Sequence, residues 1–225
     1  MVSNYKIVQQ KIREAALRSG RDPERIKLIA VTKTVPVEEI TKVIKAGASN
    51  LGENRVQELV NKQVLLSDVH WHLIGHLQTN KVNKIIGKTV LIHSLDRWSL
   101  AETLQQAAEK RDITVNVLVQ VNVSGEQSKY GLAPQQVEDF IGDVSELSRL
   151  NIMGLMTMAP FVSNPEETRP VFRELYNMQQ KLQIKWPNLK HLSMGMTNDY
   201  QIAVEEGADI VRVGSAIFKH QLLEG

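Results

Sequence analysis

Cysteine is absent from this chain, so disulfides and thiolate chemistry are excluded at the outset. No basic run marks a nucleic-acid footprint, and there is no acidic tail. The 27 basic and 25 acidic residues are well mixed and leave a net charge of +2. No apolar segment approaches the roughly 20 residues of a membrane-crossing helix. The opening Met1-Val2-Ser3-Asn4-Tyr5-Lys6 runs into an amphipathic helix without an apolar signal region. A cytoplasmic protein that engages neither nucleic acid nor membrane is therefore expected. Linkers, low-complexity stretches and repeats smaller than a strand–helix unit are missing too. With 225 residues, 42% hydrophobic and 23% charged, the composition is that of an ordinary globular chain, and one domain over 1–225 is expected.

What is present is an alternation. A leading helix carries Ile7, Ile12, Ala15, Ala16 and Leu17 and stops at Gly20. Apolar, β-branched runs predict strands over 26–33, 50–54, 70–75, 90–96, 114–123, 151–158, 191–195 and 209–218. Helical spacing predicts helices over 37–46, 55–66, 79–86, 97–110, 134–147, 165–185 and 198–206. Eight strands alternating with helices imply parallel pairing with both faces covered. Such units close most naturally into a single α/β (β/α)8 TIM barrel, here with an extra N-terminal helix. An open doubly wound sheet wants a glycine-rich turn after its first strand, whereas this first turn is Lys33-Thr34-Val35-Pro36.

In such barrels the functional groups gather at the C-terminal strand ends. Those ends read Lys33, then Gly52-Glu53-Asn54, His72 and Gly75, Ser94 and Asp96, Gln120 and Asn122, Met156 and Thr157, Ser193-Met194-Gly195, and Arg212-Val213-Gly214-Ser215. Polar residues and glycines thus concentrate at one rim, more than apolar packing requires. Lys33 ends an apolar run. A primary amine at the mouth of a buried strand is costly to desolvate, and a lysine that loses its proton forms imines with aldehydes. The alternative is a solvated lysine at a strand end.

The last two ends suit a phosphate. Ser193-Met194-Gly195-Met196-Thr197-Asn198 leads into a helix and combines a glycine, hydroxyls and free backbone N–H groups. Gly214-Ser215-Ala216 offers the same chemistry, and phosphate sites in barrels recur at these two loops. For either alone, a helix cap or tight turn is the plainer account. Arg212 lies between Val211 and Val213, so it points into the barrel if the valines face the helices. A buried guanidinium demands an acceptor, either an inward carboxylate such as Glu53 or a ligand such as a heteroaromatic ring nitrogen. His70, His72 and His76 invite a metal reading. No carboxylate accompanies them at useful spacing, so no metal is expected and His72 reads as a hydrogen-bonded wall or core residue. Met153, Met156, Met158, Met194 and Met196 read as core and pocket lining.

Eight segments in order carry a family resemblance. They are Ala30-Val31-Thr32-Lys33-Thr34, Gly52-Glu53-Asn54-Arg55-Val56-Gln57-Glu58, the run 72–81 from His72 to Lys81, His93-Ser94-Leu95-Asp96-Arg97, the run 121–131 from Val121 to Gly131, Gly154-Leu155-Met156-Thr157-Met158, Leu192-Ser193-Met194-Gly195-Met196-Thr197, and Val211-Arg212-Val213-Gly214-Ser215. Over nearly its whole length the chain resembles the pyridoxal phosphate homeostasis proteins. The resemblance implies a barrel of the alanine-racemase N-terminal type (fold type III among pyridoxal phosphate proteins). It implies pyridoxal 5′-phosphate held as a Schiff base on Lys33. It further implies a phosphate seated by Ser193, Gly195, Thr197, Gly214 and Ser215, with Arg212 at the pyridine nitrogen and Asn54 beside the cofactor. Thr197 stands where serine is expected more often, and the hydroxyl is kept.

The resemblance points to a carrier rather than a catalyst. An arginine partner leaves the ring nitrogen unprotonated, which makes the ring a weaker electron sink. Racemisation needs a base on each face. Lys33 serves one, and of Tyr5, Tyr130, Tyr176 and Tyr200 only Tyr130 is easily placed for the other. With no second domain expected, the rim is open and the cofactor exchangeable. The expectation is a non-catalytic, monomeric carrier in vitamin B6 homeostasis. It would buffer pyridoxal phosphate or deliver it to apo-enzymes, with effects on amino-acid and keto-acid balance. The alternatives are a pyridoxal-phosphate-dependent racemase or minor lyase, a cofactor-free aldolase-like barrel using Lys33, and a partner-binding regulator with a vestigial cofactor.

Overall fold

The strand Lys27–Val31 (β1) pairs in parallel with Asn50–Glu53 (β2) on one side and with Ile210–Val213 (β8) on the other. The second pairing sets Ile29 against Arg212 and closes the ring. Between them run His70–Leu73 (β3), Leu91–Leu95 (β4), Val115–Gln120 (β5), Leu150–Met156 (β6) and His191–Ser193 (β7), each hydrogen-bonded to the next in a closed barrel. This is a computed structural model that describes residues 1–126 and 129–219. Gln127 and Ser128, within the fifth predicted loop, lie outside the described residues.

The helices follow in chain order: Val2–Arg18 (α1), Val37–Lys45 (α2), Val56–Leu65 (α3), Val82–Ile85 (α4), Trp98–Glu109 (α5), Val137–Ser145 (α6), Arg169–Gln183 (α7), Tyr200–Glu205 (α8) and Ser215–Phe218 (α9). Local chemistry explains their limits. In α2, Glu38 and Glu39 lie in the first turn and Lys42 and Lys45 in the last, matching the helix dipole, while Ile40 and Val43 bury against the barrel. The buried stripes of the helices and the outward strand faces belong to one apolar cluster, with α1 lying on α8 and α9.

Alternation sorts the strand residues between two cores. Ile29, Leu91, Leu118, Met156 and Ile210 turn inward and form one apolar cluster. Ala30, Leu51, Leu73, Ile92, Val117, Leu155, Val211 and Val213 turn outward to the helices. The valines on either side of Arg212 therefore do face outward, and Arg212 is buried inside.

One predicted element is wrong. The eighth strand was expected to run over 209–218, but it ends at Val213, and Ser215–Phe218 is the helical turn α9. A short apolar run does not distinguish strand from helix by composition. Ala216, Ile217 and Phe218 bury against the outer core as a helical turn, and the Asn4 side chain of α1 reaches the Ile217 carbonyl at 3.4 Å. The strand ends are also shorter than predicted. Lys33, Gly75 and Gly195 lie in the loops just beyond β1, β3 and β7.

A buried ion pair fixes the end of β1. Glu53 is fully buried, and its Oε1 accepts from Thr32 Oγ1 at 2.6 Å and from Lys62 Nζ at 2.6 Å. Lys62, on α3, also donates to the Thr32 carbonyl at 2.7 Å. The next residues, Lys33 and Thr34, are thereby tied to β2 and α3. Thr34 takes a φ of +61°, where a β-branched residue is strained, and its N–H reaches Glu58 Oε2 at 3.3 Å. Replacing Lys62 by Met leaves Glu53 buried without its cation, which costs about 3–5 kcal/mol of unfolding free energy. Urea unfolding measures this, and the Glu53→Met/Lys62→Met double variant should recover most of the loss. An unchanged midpoint for Lys62→Met alone would show that the pair contributes nothing.

Candidate functional site

The C-terminal rim of the barrel opens into a cleft of about 610 Å³. Strand alternation carries Ile29, Val31 and Lys33 up one inner face, and Lys33 emerges, exposed, at the cleft mouth. Among the described residues no side chain pairs with its ammonium. The sequence expectation of a desolvated amine thus meets an exposed one standing on a rigid stem. Asn54, just past β2, lines the wall beside it. Gly75 presses against the Asn54 backbone so closely that a Cβ there would overlap it, and its carbonyl is held by Ser94 Oγ at 2.7 Å.

On the β8 side of β1, the loops after β7 and β8 meet. Ser215 Oγ donates to Thr197 Oγ1 at 3.0 Å, and Ala216 N–H approaches the same hydroxyl at 3.4 Å. Gly214 packs against Val31 at the cleft edge. The two segments singled out as phosphate seats therefore form one surface, in the same cleft as Lys33. Two of their residues do other work. Ser193 is fully buried below the cleft, where its hydroxyl accepts from Arg212 Nη1 and contacts His93 Nδ1 at 2.9 Å. Gly195 takes a φ of +90° with α8 against it, so a Cβ would strike Ala203 and Tyr200. Its glycine serves the turn and the helix packing, and it does not line the cleft.

Arg212 is 4% exposed yet lines the cleft floor. Its Nη2 donates to the Thr157 carbonyl at 2.8 Å. Burial pulls its guanidinium down to about 10, opposed by the charge of Asp199, so it remains a cation at neutral pH. Its partner is not Glu53, which the sequence left open. Glu53 faces α3 on the other side of the sheet and belongs to Lys62. Asp199 is the carboxylate near it. Burial raises the Asp199 carboxyl above the usual range, while the Met196 N–H at 2.6 Å and the charge of Arg212 pull it back.

The histidines do not converge. His72 and His93 are buried side by side, with His72 Nδ1 3.0 Å from His93 Nε2. His72 is thus the hydrogen-bonded interior residue that was expected. His76 sits instead at the cleft wall, stacked on Tyr130 with ring centroids 4.0 Å apart.

A family model described as alanine racemase, N-terminal domain, matches residues 4–221. The pyridoxal phosphate homeostasis protein of Aquifex aeolicus (strain VF5) is 45% identical over 214 residues, covering 94% of this chain and 94% of that protein. The chain belongs to this family. Among solved structures, a protein described as unknown from Bifidobacterium adolescentis superposes with a TM-score of 0.92 at 34% identity, covering 96% of this chain and 94% of that one. PipY of Synechococcus elongatus PCC7942, solved with PLP bound, superposes with a TM-score of 0.81 at 36% identity, covering 93% of this chain and 99% of that one.

Within this family member, the sequence alone did not single out His93, Asp199 or Lys62 for a role. His93 follows Leu91 by two and so shares its inward face, which is a legible signal. The charge contact of Asp199 with Arg212 and the bonds of Lys62 to Glu53 and Thr32 are tertiary, and no local pattern announces them.

The buried imidazoles make stability depend on pH. Burial and the nearby charge of Lys27 lower His72 to about 3, and burial with the neighbouring His72 and Arg212 holds His93 well below the usual imidazole range. The unfolded chain takes up these protons near pH 6.5 and the folded chain refuses them. This contribution is therefore complete above pH 6.5 and is lost as the pH falls toward the folded values. Two protons give a slope of up to about 2.7 kcal/mol per pH unit. Asp199 and Asp209, which burial raises, act with the opposite sign. Urea midpoints between pH 6.5 and 4 measure the balance. A flat profile in wild type that does not change in the His72→Asn/His93→Asn variant would contradict the assignment.

Proposed function

We propose that this chain binds pyridoxal 5′-phosphate in the rim cleft and serves as a non-catalytic carrier that buffers or delivers it. The observation that carries this reading is the gathering in one cleft of a lysine that has no partner among the described residues, two hydroxyl-bearing loops and a buried arginine. The cofactor is an aldehyde, a pyridine ring and a phosphate, and the donor set fits each part. Lys33 Nζ is the amine available to an aldehyde. Thr197, Gly214 and Ser215 offer hydroxyls and backbone donors for the phosphate. Arg212, with donors only, faces the ring nitrogen as an acceptor and leaves it without a proton. Asn54 borders the ring. In this reading Ser193 acts through Arg212, and Gly195 acts through the turn that sets Thr197. Bound there, the cofactor supplies an aldehyde that condenses reversibly with amines.

The carrier reading is supported by the names of the relatives and by the shape of the rim. Phe161 and Tyr130, 84% and 56% exposed, stand at an open cleft rather than sealing it. Among the described residues nothing excludes water from the amine, and an accessible linkage suits release to apo-enzymes better than catalysis. A monomer acting in the cytoplasm completes this proposal. One observation favours the racemase alternative, since Tyr130 lines the same cleft as Lys33 and is stacked in place by His76.

The decisive test is absorbance of the purified protein with added cofactor, before and after borohydride, followed by peptide mass mapping. A band bleached by reduction, with the pyridoxyl mass on the Lys33 peptide, is expected. A colourless, unmodified protein would overturn the proposal. Lys33→Ala should lose the reducible linkage while keeping weak phosphate-dependent binding. Arg212→Gln should weaken retention by about ten-fold, the scale of one charge-assisted hydrogen bond. Solvent-deuterium incorporation into L-alanine at a turnover well above the free-cofactor rate would favour the racemase.

A further inference from the structure

Five polar side chains cross the barrel interior in one unbroken line. Arg212 Nη1 meets Ser193 Oγ, and Ser193 Oγ lies 2.9 Å from His93 Nδ1. His93 Nε2 lies 3.0 Å from His72 Nδ1, and His72 Nε2 lies 3.1 Å from Asn50 Oδ1. Ser193, His93 and His72 are all essentially inaccessible. The line begins on the cleft floor and ends at Asn50, whose amide reaches the exposed Ser49 hydroxyl at 3.1 Å near the opposite, N-terminal mouth of the barrel.

We propose that Asn50, His72, His93 and Ser193 form a directional hydrogen-bond relay that aims the Arg212 guanidinium into the cleft, with both imidazoles held as the Nε2–H tautomer. This deepens the cofactor reading and rests on it for the ligand alone, because the relay is a property of the free chain.

The direction follows from the end that has no choice. Guanidinium has donors only, so Ser193 Oγ must accept from Arg212. The serine has one proton of its own, and the acceptor in reach is His93 Nδ1. That nitrogen is therefore bare, and a neutral imidazole then carries its proton on Nε2. His93 Nε2–H faces His72 Nδ1, which must likewise be bare, leaving His72 Nε2–H to donate to the Asn50 carbonyl oxygen. Every step has one donor and one acceptor. The reverse order would aim two donors at Ser193 Oγ and leave its own proton without an acceptor among the described residues, a costly state in a buried site. A protonated imidazole at either position would set N–H against N–H or against a serine that has nothing else to donate to.

The consequence is positional. Thr157 O holds one guanidinium nitrogen and Ser193 Oγ the other, so the planar group is held at two points and its remaining donors are directed at the cleft. Ser193 offers that lone pair steadily because its proton is committed to His93, and His93 accepts steadily because His72 and Asn50 fix its tautomer. His93 and His72 are positioning residues, two and three links from the cleft.

The relay is tested first on cofactor-free protein. Long-range ¹H–¹⁵N correlation of the imidazoles, assigned with His93→Asn and His72→Asn, should show both rings with a bare Nδ1 and a protonated Nε2. Either ring as a cation or as the Nδ1–H tautomer at neutral pH would overturn the relay. The positioning role is then tested with pyridoxal phosphate. Ser193→Ala and His93→Leu should each weaken binding by about ten-fold and shift the absorbance band, whereas His93→Asn, whose Oδ1 replaces Nδ1 as the serine's acceptor, should stay within about two-fold of wild type. Wild-type affinity and spectrum in His93→Leu would overturn the positioning role. Failure of the wild type itself to bind cofactor would overturn the functional reading, with the tautomers still deciding whether the relay exists.

Discussion

A guanidinium inside a closed barrel is the constraint around which the interior is arranged. Arg212 lies on β8 at a position whose alternation points inward, and the rest of that face would by default be filled with aliphatic side chains. Removing such a charge from water costs several kcal/mol unless acceptors replace the solvent. The barrel meets that cost unevenly. Ile29, Leu91, Leu118, Met156 and Ile210 fill one part of the interior as ordinary apolar packing. His72, His93, Ser193 and the Thr157 carbonyl fill the rest as a connected polar system. Asp199, raised by its own burial, supplies the nearest negative charge and keeps Arg212 from standing alone.

The same constraint explains why, among the described residues, the side chains bonded in line to Arg212 are a serine and two histidines rather than a carboxylate. A carboxylate hydrogen-bonded to Arg212 would neutralise it more fully than Asp199 does and draw its donors away from the cleft. A neutral imidazole accepts indirectly, through a serine, and leaves the positive potential directed at the opening. Arg212, Lys33, Lys129 and Lys219 all line one cleft against the carboxyl of Asp199, which favours an anionic ligand with a phosphate. Thr197 and Ser215 add hydroxyls where a phosphate between the last two loops would lie. Charge, hydrogen-bond polarity and cleft position agree on the class of ligand, and the agreement originates in one residue.

Much of this was legible in the sequence, for a definite reason. Alternation and periodicity are local, and they placed eight strands, their intervening helices and the rim that carries Lys33, Asn54, Thr197, Arg212, Gly214 and Ser215. They also turned Arg212 inward by reading the valines on either side of it. What was not legible depends on partners distant in the chain. Glu53 was a reasonable mate for Arg212 by charge, but its strand face sends it to Lys62. Ser193 looked like a phosphate ligand because it opens a hydroxyl-rich loop, yet its position two residues before Gly195 keeps it on the interior face below the rim. The run from Ala216 to Phe218 looked like more strand because three apolar residues carry no period.

The site also shows where stability has been given up for function. An apolar residue in place of Arg212, with His93 and Ser193 replaced to match, would fill the barrel without charge burial, and buried ionic systems are commonly less stable than apolar packing of equal volume. Thr34 holds a left-handed conformation that a β-branched residue resists, at a cost of about 1–3 kcal/mol, and it does so immediately after Lys33. One cost falls on the cleft floor and the other in the residue that follows Lys33. The Glu53–Lys62 pair ties Thr32, two residues before the strained one, to β2 and α3, and Glu58 of α3 accepts from the Thr34 N–H, so the turn is held on both sides of Lys33. Strain that is surrounded in this way is held by tertiary contacts, and it lies in the turn that follows Lys33 at the mouth of the cleft that Arg212 floors.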